Sequence, residues 1–199
     1  MTGVPPTATG KHLASGSRRA KRALSLAQTL AMVLARDLDP ERRTRLERVR
    51  AAVAGGAHSR FEDPSEILRV VCTHVYREAD RRNVPLVVHC ACRRVSVRET
   101  FTEALCCLLD NAIEATDAGH PVVLEAREYD DRLAVWEIRD LGHGMTAGAL
   151  ADLGSPYSVA RAPGGVAIAN AIIQEHDGVL RFESGVGLGT TATVWLPLT

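Results

Sequence analysis

The chain is poor in aromatic residues, with three Phe, three Tyr and two Trp among 199 residues. Any core it builds must rest on Leu, Val, Ile and Ala. It lacks a run of the roughly 18 apolar residues that a membrane-spanning helix needs. Its first residues lack the apolar stretch of a secretory signal. A cytoplasmic protein with no membrane contact is therefore expected. Cysteine is sparse: Cys72, Cys90, Cys92, Cys106 and Cys107 include no C-x-x-C pair and no zinc-ligand spacing. In a reducing compartment they are expected to serve as small buried hydrophobes. There is no net charge either, with 24 Lys and Arg against 24 Asp and Glu. The balance is uneven along the chain, because residues 1–60 hold twelve of the basic residues and four of the acidic ones. No aromatic residue interleaves the basic ones there, which argues against nucleic acid as the partner. A solvated helical face is the plain reading of that basic segment, and docking to an acidic protein surface is the sharper one.

What is present divides the chain into segments. Residues 1–10, MTGVPPTATG, are rich in Pro, Gly and Thr and are expected to be a disordered tail. From Lys11 to Asp37 no proline occurs, and Leu24, Ala27, Ala31, Leu34 and Leu38 recur at helical steps. Asp39-Pro40-Glu41 then supplies an N-cap with Pro at the first helical position. A second helix follows with Leu46, Val49 and Val53 on one face, and Gly55-Gly56 ends it. Residues 11–57 thus read as a helical hairpin. Such a hairpin buries little alone, so a dimeric four-helix bundle built by residues 11–55 is expected.

After Gly56 the pattern is mixed. Asp63-Pro64-Ser65-Glu66 opens a helix to about Arg82, and Val84–His89 alternates as a strand. Val97 to Thr116 reads as a helix. Val122–Tyr129 and Arg132–Asp140 read as strands joined by a turn at Asp130-Asp131. A loop over residues 141–163 with one helical turn, a helix over Gly164–His176 and a last strand pair, Val179–Ser184 and Thr190–Leu198, complete the order. The expected fold class is α+β: the N-terminal hairpin, then a two-layer α/β sandwich with helices on one face of a mixed sheet.

Three short motifs stand out in that frame. The helix containing Glu103-Ala-Leu-Cys-Cys-Leu-Leu-Asp-Asn-Ala-Ile-Glu-Ala-Thr116 carries Asn111. A strand runs into Arg139-Asp140-Leu141-Gly142-His143-Gly144-Met145. Gly187-Leu188-Gly189-Thr190-Thr191 lies near the end. Each motif alone is weak, since D-x-G-x-G is a common turn and a Thr after a Gly is an ordinary strand residue. Their order, and their placement on a helix, a strand end and a late turn, is what constrains function.

On these motifs residues 58–199 resemble the ATP-binding domain shared by gyrase and the histidine kinases, and most of all the histidine-kinase branch. The resemblance implies ATP and Mg²⁺ as cofactors. Asn111 matches the family's helix asparagine, whose amide oxygen ligates Mg²⁺, a hard cation that prefers oxygen. Asp140 matches the aspartate that accepts a hydrogen bond from the adenine amine. Gly142 and Gly144 let the backbone bend and approach the ring, and Thr190 matches the threonine that supports the adenine contact. Gly165 falls on a family glycine at the N-terminus of the late helix, where free N–H groups and the dipole suit phosphate. Leu141, Met145 and Ile113 read as ring-packing or core residues.

The chain departs from that family in places. Pro163 replaces another glycine of the phosphate loop and removes a donor N–H. Cys107 stands one turn before Asn111, where the kinase branch has a second Asn, and a thiol is a poor Mg²⁺ ligand. The hairpin resembles the dimerisation and phosphotransfer module of the kinases, yet the acceptor position falls near Ser17, and no H-E-x-x-x-P pattern occurs. His12 is the nearest candidate phosphoacceptor; an exposed histidine near a helix end is its competing reading. The resemblance implies a two-component histidine kinase whose partner is a response-regulator receiver domain. A degenerate adaptor or phosphotransfer protein that docks such a regulator without efficient turnover is the alternative. An anti-sigma-type serine kinase shares the ATP fold but lacks the hairpin.

Overall fold

A computed structural model of the chain describes residues 60–61, 63–154 and 164–198. The tail, the hairpin, His12, Arg161 and Pro163 lie outside the described residues, so the expectations for them are not addressed by it.

The chain order is β1 (Arg60–Phe61), α1 (Pro64–Arg81), β2 (Leu86–Ala91), β3 (Val97–Arg98), α2 (Thr100–Ala115), β4 (Val122–Glu128), β5 (Leu133–Asp140), α3 (Ala147–Gly154), α4 (Gly164–Glu175), β6 (Val179–Gly185) and β7 (Gly189–Pro197). Five strands form one sheet in the order β2-β4-β5-β7-β6, while β1 and β3 make a separate two-stranded pair. The β2–β4 pairing is parallel, and the other three pairings of the large sheet are antiparallel. A mixed sheet with helices packed on one face is the expected two-layer arrangement.

Local chemistry sets the element ends. Asp63 caps α1 by accepting the Ser65 N–H at 2.8 Å, and Pro64 fills the first turn, where no N–H acceptor is available. α1 stops because Asn83 takes a left-handed φ of 54°, which Asn tolerates better than most side chains. The β4–β5 turn is closed by the Asp130 carboxylate, which accepts the N–H groups of Arg132 and Leu133 at 2.8 and 2.9 Å. The left-handed residue after α4 is Asp177, at φ 55°, rather than the glycine beside it.

Three stretches differ from the sequence expectation: β2 runs over Leu86–Ala91, two residues later at each end than the expected Val84–His89, and two further stretches change type. Val97 and Arg98 are not the first turn of α2 but a short strand paired with Arg60 and Phe61. Val97 is buried, and His176 accepts the Arg98 N–H at 3.0 Å, so this stretch is drawn away from the helix axis. Part of the expected loop 141–163 is the two-turn helix α3.

The core lies between the sheet and the helices. Val122, Leu124 and Ala126 of β4, Ala134, Trp136 and Ile138 of β5, and Ala192, Val194 and Leu196 of β7 form its floor. α2 is the central helix, buried at Phe101, Leu105, Leu108, Leu109 and Ile113, and it touches both α1 and α4. Its burial on several sides explains why it is rich in apolar residues rather than cleanly two-faced. Phe101 meets Trp136 edge to face, with centroids 5.5 Å apart, a geometry worth about 0.5–1.5 kcal/mol beyond the area it buries. The aromatic shortage is thus met by placing two aromatics at the centre. On the other face of the sheet, Glu125, Arg127, Glu137 and Arg139 form an interleaved set of ion pairs.

The cysteines only partly meet their expectation. Cys92 and Cys106 are buried, Cys72 and Cys107 are half-buried, and Cys90 is exposed. Leu141 is exposed as well, so it is not a core residue, whereas Ile113 is fully buried.

Candidate functional site

A cavity of about 640 Å³ opens between α2, the end of β5, α3 and the start of α4. Asn111, Asp140 and Thr190 line it together, as does Met145. Three residues chosen from distant parts of the sequence therefore share one cavity.

Asp140 is the last residue of β5 and points to the helix side of the sheet, as Trp136 and Ile138 do four and two residues earlier. It is buried. Its Oδ1 accepts the Gly142 N–H at 2.9 Å and the Thr190 N–H at 3.1 Å. Among the described residues no donor reaches Oδ2. Burial pushes the Asp140 carboxyl above its ordinary value, and the N–H groups of Gly142 and Thr190 and the nearby His143 only partly oppose that. Such a carboxylate gains from an additional donor.

The two glycines have different reasons to be there. A Cβ on Gly142 would collide with the carbonyl oxygen of Ala115, at the end of α2. Gly144 has φ 64°, a left-handed backbone, and a Cβ there would strike the carbonyl of Gly185. Between them the His143 N–H donates to the Ala115 carbonyl at 3.2 Å, and the Gly187 N–H donates to the His143 carbonyl at 2.8 Å. The loop after Asp140 is thereby strapped to the motif helix on one side and to the β6–β7 turn on the other. The His143 ring lies against the neighbouring Gly144 carbonyl, with Nδ1 at 2.7 Å.

Asn111 sits in the last turns of α2 and is half-buried. Its Nδ2 is fully enclosed and has no hydrogen-bond partner among the described residues. A buried amide without a partner is costly unless something else supplies one. Gly165 lies close by: a Cβ built on it would stand 3.7 Å from the Cys107 Cβ and 3.8 Å from Asn111 Nδ2. The start of α4, Cys107 and Asn111 are thus brought together at one end of the cavity.

Two residues missed in the sequence take part. Ser184 of β6 pairs in register with Thr190 of β7. Its Oγ accepts the Met145 N–H, lies 2.9 Å from the Gly189 carbonyl and lies 2.9 Å from Thr190 Oγ1. With one hydroxyl hydrogen, donated to the Gly189 carbonyl, Ser184 leaves Thr190 as the donor in that last pair. The antiparallel register between β6 and β7 was the signal that would have found it. The second is Arg82, just past α1, which lines the same cavity.

Comparisons with known proteins agree with this geometry. The chain is 28% identical over 183 residues to the sensor histidine kinase ZraS of Klebsiella oxytoca, covering 86% of this chain and 38% of that protein. It is 34% identical over 109 residues to the histidine protein kinase DivJ of Caulobacter vibrioides, covering 51% of this chain and 18% of that one. It therefore spans less than half the length of these relatives. Among solved structures, the histidine kinase AdeS of Acinetobacter baumannii superposes with a TM-score of 0.62 at 16% identity, over 91% of this chain and 98% of that one, a likeness of fold. Residues 96–199 match a family model, and the chain belongs to the histidine kinase-, DNA gyrase B- and HSP90-like ATPase family.

Proposed function

We propose that the chain is the ATP-binding part of a two-component histidine kinase, with residues 58–199 as the nucleotide-binding unit. The observation that carries this is the buried Asp140 carboxylate, held through Oδ1 and open at Oδ2, sharing a cavity with Asn111. The open carboxylate oxygen suits the exocyclic amine of adenine, and the carboxylate excludes a base that presents a carbonyl there. Thr190 and Ser184 fix the strand end that donates to Asp140. Ile138 and Met145 give the base apolar surface.

The residues at the other end suit the triphosphate and its metal. A phosphate oxygen would satisfy the enclosed Asn111 Nδ2, and the amide oxygen is the hard donor that Mg²⁺ prefers. Mg²⁺ bound with the nucleotide would offset triphosphate charge and help align it. Gly165, with no side chain, keeps the first turn of α4 open toward Asn111. Phosphoryl transfer depends mostly on positioning and charge, so Cys107 in place of a second oxygen ligand is expected to slow turnover more than to abolish binding.

The remaining assignments concern residues 11–57. We assign them a dimerising hairpin, His12 as the candidate phosphoacceptor and a response-regulator receiver domain as the recipient. Support comes from the basic composition of the hairpin and from the kinases to which the chain is similar. No helix among the described residues is long and apolar enough to cross a membrane. The test is autophosphorylation with γ-labelled ATP in wild type and His12→Ala. Acid-labile label on wild type that disappears in His12→Ala is the expected result. Nucleotide binding with no label on either protein would instead favour the adaptor reading.

A further inference from the structure

Arg82 is the only Lys or Arg among the described residues that line the cavity, while Glu114, Asp140 and Asp152 contribute carboxylates. A polyanionic ligand in such a cavity needs a cation on its anionic side, and Asn111 carries none. Arg82 sits immediately after α1, outside all three motifs that identify the site. Its position is fixed from behind: Nε donates to the Glu78 carboxylate at 2.6 Å, four residues earlier. Its Nη2 stands 4.0 Å from Glu114, too far for a hydrogen bond. The Nη groups make no hydrogen bond among the described residues. Glu114 is one turn beyond Asn111 on α2, and both line the cavity, so the guanidinium reaches the cavity wall beside the motif helix, one turn past Asn111.

We propose that Arg82 binds the anionic part of the nucleotide, oriented by Glu78 and directed along Glu114 toward the phosphates. This rests on reading the cavity as a nucleotide site. Its planar fork suits phosphate oxygens, and it supplies from α1 positive charge that the motif helix lacks. Glu78 holds Nε and leaves both Nη groups available, and Glu114 keeps the cation near the wall when no ligand is bound.

The experiment is a calorimetric titration of the full chain with adenosine, ADP and ATP in the presence of Mg²⁺. It compares wild type with Arg82→Gln and Arg82→Lys, and with Arg81→Gln as a control, because Arg81 shares the Glu78 partner but does not line the cavity. Arg82→Gln is expected to weaken ATP about 10- to 100-fold, the range for losing a charge-assisted hydrogen bond. Adenosine should change less than about twofold, ADP should fall between, Arg82→Lys should recover part of the loss, and Arg81→Gln should resemble wild type. Arg82→Gln weakening adenosine and ATP alike would show a merely structural role and overturn the inference. So would no change in either. A wild-type chain that binds ATP with an unaltered ATP-to-adenosine ratio in Arg82→Gln sinks Arg82 alone, whereas a wild-type chain that binds no nucleotide sinks the site with it.

Discussion

Asp140 and Thr190 lie 50 residues apart in sequence and are joined by one hydrogen bond, from the Thr190 N–H to Asp140 Oδ1 at 3.1 Å. They face each other in the β5–β7 register, at the end of the longest antiparallel pairing in the sheet. The bond turns a surface carboxylate into an oriented, buried acceptor.

Asp140→Asn retains an oxygen that can accept the Gly142 and Thr190 N–H groups, so the fold is expected to survive. The other side-chain atom becomes an NH₂ donor facing the cavity. ATP affinity should fall by about 1.5–3 kcal/mol, the range for a hydrogen bond to a charged group. Inosine or guanine triphosphates, which present a carbonyl at the same position, should lose much less. Competition titrations with the three nucleotides check this. Equal losses for all three would contradict it.

The pH dependence has a definite sign. Burial raises the Asp140 carboxyl, so the folded chain holds this proton more tightly than the unfolded chain does. The group favours folding at low pH, and that contribution is lost as pH rises through the raised folded value. A ligand amine prefers the ionised form, so ATP affinity should rise with pH through that same window and level off above it. Binding at mildly acidic pH should release protons. Titrations in buffers of different ionisation enthalpy measure the release, and none would be seen if Asp140 did not face the ligand.

Ser184→Ala removes the hydroxyl that joins Met145, Gly189 and Thr190. It should cost about 1–3 kcal/mol, because the Met145 N–H and the Gly189 carbonyl lose their partner. Ser184→Thr keeps the hydroxyl and should lose less. Urea unfolding monitored by Trp fluorescence reads both variants, and an unchanged midpoint in Ser184→Ala would argue that water replaces the hydroxyl at no cost.

Glu78 gives a contrasting acid response. Its hydrogen bond from Arg81 lowers its pKa from 4.5 to about 2, with Arg82 adding to the effect. A depressed carboxyl stabilises the fold above its unfolded value and loses that contribution as pH falls from about 4.5 toward about 2. The pair is partly solvated, so the size is expected to be at most about 1 kcal/mol. Glu78→Gln should flatten the stability curve over that interval and leave it unchanged near neutrality apart from a constant offset.

Much of this was legible in the sequence because local chemistry and long-range placement agreed. The Asp63-Pro64 start of α1, the Asp130 turn and the alternation of β4 and β5 follow from capping, turn chemistry and a period of two. Asn111, Asp140, Gly142, Gly144 and Thr190 were visible as motifs; the fold brings Asn111, Asp140 and Thr190 to one cavity, and the two glycines shape the loop after Asp140. What was not legible depended on contacts with no local signature. Val97 and Arg98 look like the first turn of a helix, and only Arg60, Phe61 and His176 make them a strand. Ser184 is an unremarkable strand residue until its register with Thr190 is known. Arg82 reads as a charged helix end, and its place in the cavity wall follows from how α1 packs against α2.

The most direct test is a calorimetric titration of the full chain with Mg-ATP near neutral pH, with Mg-GTP as the comparator. Saturable binding of ATP, much weaker binding of GTP and loss of the ATP preference in Asp140→Asn are the predicted results. Absence of saturable ATP binding at millimolar nucleotide, or equal binding of ATP and GTP by the wild-type chain, would contradict the assignment of this cavity as an adenine-nucleotide site.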